Sequence, residues 1–239
     1  MDDIGNLSDQ LNLYKDVEGK KLEKMLHCCM TDLFGENTAA VVNNGCFVLT
    51  GLPSGQDGEI VGVDQSGCFL IPKDNYALAN DAVLSARSIS LGKEANSNAR
   101  IWINKSDTYA SKIFDFKKRL LVLEQEWINN YAFYLKKFLA SRISEGISII
   151  KYDAVRLEWA GLVEKQKSLE SNINSFENDM LTSIQNDGFN FARRLVRECC
   201  EHLCRLAGGR AFILGQAVDR LWLFEIVNKI YLTEGDDCG

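Results

Sequence analysis

The sequence predicts an α+β protein, mostly helical: a small antiparallel β unit followed by a bundle of four helices. Two observations carry this. Residues 38–105 alternate short apolar runs with Gly, Asn, Asp and Ser, and both prolines of the chain, Pro53 and Pro72, fall there. Residues 109–232 contain no proline and repeat their apolar residues at intervals of three and four. Short runs bounded by turn formers suit strands, whereas a helix buries one stripe at a period of about 3.6 residues. The chain divides into an N-terminal helical segment (1–37), a short β-domain (38–106) and a helical bundle (107–239).

Each element has its own signal. Leu22, Met25, Leu26 and Cys29 recur at three and four, and Gly35 is placed to stop that helix. The β zone offers runs at 39–42, 46–50, 59–63, 68–71, 88–91 and 100–103. Asn44-Gly45 and Asp57-Gly58 are turn dipeptides. The first long helix presents Ile113, Phe116, Leu120, Leu123, Trp127, Tyr131, Tyr134 and Phe138 on one face, and a break follows at Ser144-Glu145-Gly146. Its Glu124 and Glu126 are expected to be solvated, as carboxylates usually are. The second helix, about 150–180, uses Ala154, Leu157, Gly161, Leu169, Ile173 and Phe176. Its charged face, with Lys165, Lys167, Glu170 and Glu177, reads as solvent-facing. The third takes Phe189, Ala192, Val196, Cys199, Leu203 and Leu206 and stops at Gly208-Gly209. The last, 216–231, is apolar nearly all round and is expected to be buried on most sides.

Composition excludes several functions. With a net charge of −6 and a pI near 5.1, the chain has no electrostatic footprint for nucleic acid. No run of eighteen or more apolar residues predicts a membrane span, and Met1 to Lys24 lacks the apolar stretch of a secretory signal. The eight cysteines include two adjacent pairs, no C-x-x-C, and only His27 and His202 to complete a ligand set, so no metal site is expected. Reduced thiols in a cytoplasmic protein, mostly small core fillers, are the expectation.

Three motifs, in order, resemble the acyl-CoA dehydrogenase family. Arg142-Ile143-Ser144-Glu145-Gly146-Ile147-Ser148-Ile149 is similar to its Arg-x-x-Phe-Gly-x-x-Ile, with Glu145 in place of the aromatic residue. Arg205-Leu206-Ala207-Gly208-Gly209-Arg210-Ala211-Phe212 resembles its Gln-x-x-Gly-Gly-x-Gly-aromatic, followed by the acid–arginine pair Asp219-Arg220. Lys229-Ile230-Tyr231-Leu232-Thr233-Glu234-Gly235 stands against Ile-Tyr-Glu-Gly-Thr. Asn44 to Gly51 resembles the β-domain segment Asn-Gly-x-Lys-x-Trp-Ile-Thr. The likeness covers about residues 40–235.

The resemblance implies FAD and an acyl thioester of coenzyme A or an acyl carrier protein. A carboxylate takes the α-proton while hydride passes to the flavin. It implies that Arg142 pairs with the cofactor pyrophosphate, that Gly208 and Gly209 let backbone approach its adenine-ribose edge, and that Thr50 contacts the flavin ring. Departures accompany these matches. Leu232 occupies the usual base position, with Glu234 two residues on as the remaining catalytic candidate. An alternative base position falls near Lys118. Val48 replaces a tryptophan, Arg205 replaces a glutamine, and the family's N-terminal α-domain is not expected before Thr38. The expected protein is therefore a reduced, non-catalytic member, forming a homo-oligomer or a hetero-oligomer with a full-length dehydrogenase. Two alternatives stay open: a working FAD-dependent dehydrogenase, and a structural or interaction bundle.

Overall fold

The structure, a computed structural model, describes residues 26–50, 58–79, 89–176, 182–209 and 217–232. It divides into two units, residues 1–119 with 229–239, and residues 120–228.

In the first unit, residues 26–34 form a helix, α1, that buries Leu26 and Met30. It ends at Gly35, whose φ of +101° suits glycine and whose N–H donates to the Thr31 carbonyl at 2.8 Å. The helical reading before residue 26 lies outside the described residues.

Seven strands follow: β1 (Ala40–Asn43), β2 (Cys46–Thr50), β3 (Ile60–Asp64), β4 (Gly67–Ile71), β5 (Tyr76–Leu78), β6 (Ile89–Glu94) and β7 (Ile101–Lys105). They form one sheet in the order β5-β6-β2-β1-β3-β4-β7. All pairs are antiparallel except β1 with β3. Asn44 and Gly45, at φ +49° and +75°, close the β1–β2 hairpin as their types predict. Asp57, the first residue of the other turn dipeptide, is outside the described residues.

One face of the sheet buries Ala40, Val42, Phe47, Leu49, Ile60, Phe69 and Ile71. Each large side chain so buried contributes roughly 1.5–3 kcal/mol. Two glycines make room for its rings. Gly92 stands opposite Phe47 in the β2–β6 register, and Gly62 opposite Phe69 in β3–β4. The Arg100 guanidinium lies 4.1 Å from the Phe69 ring centre and donates to Asp64 and Glu94.

The helices are α2 (Thr108–Ser141), α3 (Asp153–Asn174), α4 (Thr182–Ala207) and α5 (Ala217–Tyr231). The expected second helix is shorter than its apolar pattern, ending at Asn174 with Ser175 and Phe176 turning back onto its last carbonyls.

Within residues 120–228 the helices form a bundle. The α3 and α4 helices pack together, with Lys165 and Glu198 2.9 Å apart across them. Gln166 donates to Asn129 at 2.8 Å between α3 and α2, and Trp127 of α2 meets Phe224 of α5 edge to face at 5.6 Å. On α5, Leu223, Phe224, Val227, Ile230 and Tyr231 are buried while Trp222 and Lys229 are exposed. The expected break at Ser144-Glu145-Gly146 is present and takes the form of a hairpin, β8 (Ile143–Ser144) and β9 (Ile147–Ser148). Positive φ at Glu145 (+53°) and Gly146 (+79°) supplies its two-residue turn. Among the described residues no helix is long and apolar enough to cross a membrane.

Candidate functional site

The first unit brings together the two segments that resemble the flavin-contacting strand and the Ile-Tyr motif. Val42 pairs with Phe47, so the next rung of the β1–β2 ladder is Val41 with Val48. Tyr231 bridges that rung. Its hydroxyl accepts from the Val48 N–H at 2.9 Å and donates to the Val41 carbonyl at 3.1 Å. Burial pushes the phenol well above its ordinary range, so it stays protonated and able to donate. Asn43 then donates to the Ile230 carbonyl at 2.6 Å, satisfying a free carbonyl at the end of α5.

This docking fixes the next residue: Leu232 is 2% exposed. The position where the resemblance places a base thus holds a leucine sealed from water. Glu234 lies outside the described residues. Thr50 ends β2 opposite Ile89, and its side chain is likewise outside them. Lys118, near the alternative base position, is half-buried.

Replacing Tyr231 by Phe is expected to leave both groups of the Val41–Val48 rung unpaired. That costs about 1–3 kcal/mol and is read as a lower midpoint in urea unfolding. An unchanged midpoint would mean the rung closes without the hydroxyl.

In the second unit, Arg142 is exposed at the base of the β8–β9 hairpin, its guanidinium 5.4 Å from the Phe138 ring centre. The hairpin is tied to the end of α2 by Ser148, which donates to the Ala140 carbonyl at 2.8 Å, and by the Ile149 N–H on the Arg142 carbonyl at 2.9 Å. Gly208 ends α4 at φ +57°, the left-handed conformation that favours glycine. A Cβ at Gly208 or Gly209 would meet no atom within 4 Å, so this backbone faces open space. No hydrogen bond or ring contact among the described residues joins Arg142 to either glycine.

Arg205 is committed elsewhere. Its Nε donates to Glu158 Oε1, which also lies 2.6 Å from His202 Nδ1. Burial opposes ionisation of Glu158, but the hydrogen bonds from Arg205 and His202 outweigh it and hold the carboxyl below its ordinary range. Gly161 makes this cluster possible, since a Cβ there would lie 2.7 Å from His202 Cε1. The residues present therefore fit a phosphate-bearing cofactor in part: Arg142 and the glycine pair are open, and Arg205 is engaged.

The expectation for Glu124 is overturned. Glu126 is exposed, as expected, but Glu124 is 0% exposed. Its Oε2 accepts from Asn228 Nδ2 at 3.1 Å, and Asn228 is itself 1% exposed. Burial lifts the carboxyl from 4.5 to about 8, a rise to which the neighbouring Glu225 adds and which Asn228 and Arg193 oppose. The signal was in the spacing. Leu120, Glu124, Trp127 and Tyr131 lie on one stripe at four, three and four, and a glutamate there faces the core whatever its type.

No protein-family model and no curated protein matches the sequence. Solved structures do match. Glutaryl-CoA dehydrogenase from Mycobacterium smegmatis, in complex with FADH2, has a TM-score of 0.56 at 12% identity, over 83% of this chain and 58% of its own. Acyl-CoA dehydrogenase from Geobacillus kaustophilus has a TM-score of 0.55 at 12% identity, over 82% and 60%. A prolyl acyl carrier protein oxidase gives 0.52 at 12%, over 82% and 60%. At such identity the likeness is one of fold. The chain has the acyl-CoA dehydrogenase fold and spans about three-fifths of the length of those structures.

Proposed function

We propose that this chain is a non-catalytic relative of the acyl-CoA dehydrogenases, acting as a subunit that assembles with itself or with a complete dehydrogenase. One observation carries the reading: Leu232, at the usual base position, is a buried leucine held there by Tyr231. A leucine has no group to accept an α-proton, and its burial leaves no room for water to stand in. Assembly is supported by large apolar side chains left exposed on residues 120–228, among them Phe133 (62%), Ile143 (72%), Ile147 (49%) and Leu157 (77%). Burying such side chains against a partner would remove apolar area from water.

FAD, when bound, supplies a hydride acceptor. Arg142 is the residue to hold its pyrophosphate, since a guanidinium fork matches phosphate oxygens. The open backbone at Gly208 and Gly209 suits a close approach by its adenine-ribose edge. Thr50 is the residue for the flavin ring. A cytoplasmic setting accords with the seven described cysteines being free thiols.

Native mass spectrometry of the chain, alone and co-expressed with a complete dehydrogenase, tests assembly. A homo-oligomer or a mixed complex is expected. A monomer under both conditions overturns it.

A further inference from the structure

Two buried atoms in the second unit, Glu124 Oε1 and Asn228 Oδ1, have no hydrogen-bond partner. They belong to side chains already joined by one bond, Asn228 Nδ2–H to Glu124 Oε2. A carboxylate carries only acceptors, and an amide oxygen is also an acceptor. An ionised Glu124 therefore satisfies neither atom, and leaving buried acceptors unpaired is costly. One proton resolves both. On Oε1 it makes a donor, and Asn228 Oδ1 is an acceptor on the same amide whose Nδ2 already reaches the carboxyl.

We propose that Glu124 and Asn228 form a proton-closed acid–amide pair, Nδ2–H to Oε2 and Oε1–H to Oδ1, which latches α2 to α5 and opens when the proton leaves to solvent.

The surroundings fit a neutral pair. From α5, Glu225 faces the site, but Arg193 of α4 engages it at 2.9 Å. Cys200 of α4, 0% exposed, has its thiol pushed well up by burial and adds no charge. Just along the α2–α5 contact, Trp127 and Phe224 exclude water. Once Glu124 ionises, two acceptors confront each other in an apolar layer, and α5 is the shorter helix and the one to yield. The device ties the hold on α5 to pH through a group on another helix.

Infrared difference spectroscopy of the whole chain, from about pH 6 to about pH 10, reads the proton directly. The expected wild-type spectrum has a protonated carboxylic-acid band near neutral pH that is lost as pH rises through about 8. Glu124→Gln should lack the band yet keep both hydrogen bonds, because its amide donates to Oδ1. Asn228→Leu should keep the band but move it to higher frequency, having lost the amide donor. Hydrogen exchange in α5, corrected for intrinsic rates, should quicken above about pH 8 in wild type and not in Glu124→Gln. Absence of the band near neutral pH in the wild type, a measurement needing no variant, overturns the proposal. So does a band frequency indifferent to Asn228→Leu, or equal α5 exchange in wild type and Glu124→Gln at high pH.

Discussion

Glu124→Gln is expected to stabilise the protein by a margin that widens with pH. The carboxyl titrates at 4.5 in the ordinary state and at about 8 in the folded one, because burial penalises its charge. The folded protein holds a proton that the unfolded chain gives up. The associated stability is complete below 4.5 and drains as pH rises through about 8, at about 1.4 kcal/mol per pH unit. The whole span is on the order of 5 kcal/mol, large against the ~5–15 kcal/mol that holds a typical domain. Glutamine does not titrate, so the loss is absent from the variant. Urea unfolding of both proteins at several pH values measures the difference. It should climb from near pH 5 and level off above about pH 8. A difference independent of pH would mean that Glu124 is ionised throughout.

Gly92→Ala should badly damage the core face of the sheet. Nothing in the backbone at Gly92 demands glycine, since its φ is ordinary for a strand. The demand comes from Phe47, 0% exposed, whose ring has an atom 2.1 Å from where the Cβ would stand. The ring cannot retreat without disturbing Tyr76, edge-on at 6.2 Å, and the rest of its core face. Overpacking of this kind costs about 3 kcal/mol. In a chain of this size it lowers the melting temperature by roughly 6–12 °C. Adding Phe47→Leu should recover part of the loss, because the smaller side chain leaves room for the methyl group. If Gly92→Ala melts with the wild type, the sheet register at Phe47 is wrong.

Much of this architecture is legible in the residues, and the failures have physical causes. The texture change near residue 106 separates strands from helices because prolines and turn dipeptides gather on one side of it. Asn44-Gly45 and the stops at Gly35 and Gly208 are readable because positive φ selects few residue types. Strand β5, Tyr-Ala-Leu, is three residues long and carries no periodic signal; neighbouring β6 creates it. The β8–β9 hairpin reads as a break because its strands have two residues each.

The site divides in the same way. Leu232 at the base position is visible in sequence, whereas its burial follows from Tyr231 entering the Val41–Val48 rung, a contact 183 residues apart in the chain. Glu124 fails for the opposite reason. Residue type argues for solvent and position argues for the core, and position prevails once Asn228 offers a partner. Arg205, which sequence shows only in place of a glutamine, is engaged by Glu158 from α3, with His202 beside it on its own helix.

The most direct measurement is made on the flavin-loaded protein, mixed anaerobically with saturated acyl thioesters while its visible absorbance is followed. With a sealed leucine where a base is needed, the yellow oxidised band should persist, and Glu234→Gln should behave as the wild type does. Rapid bleaching that Glu234→Gln abolishes would contradict the account and make Glu234 the base of a working dehydrogenase.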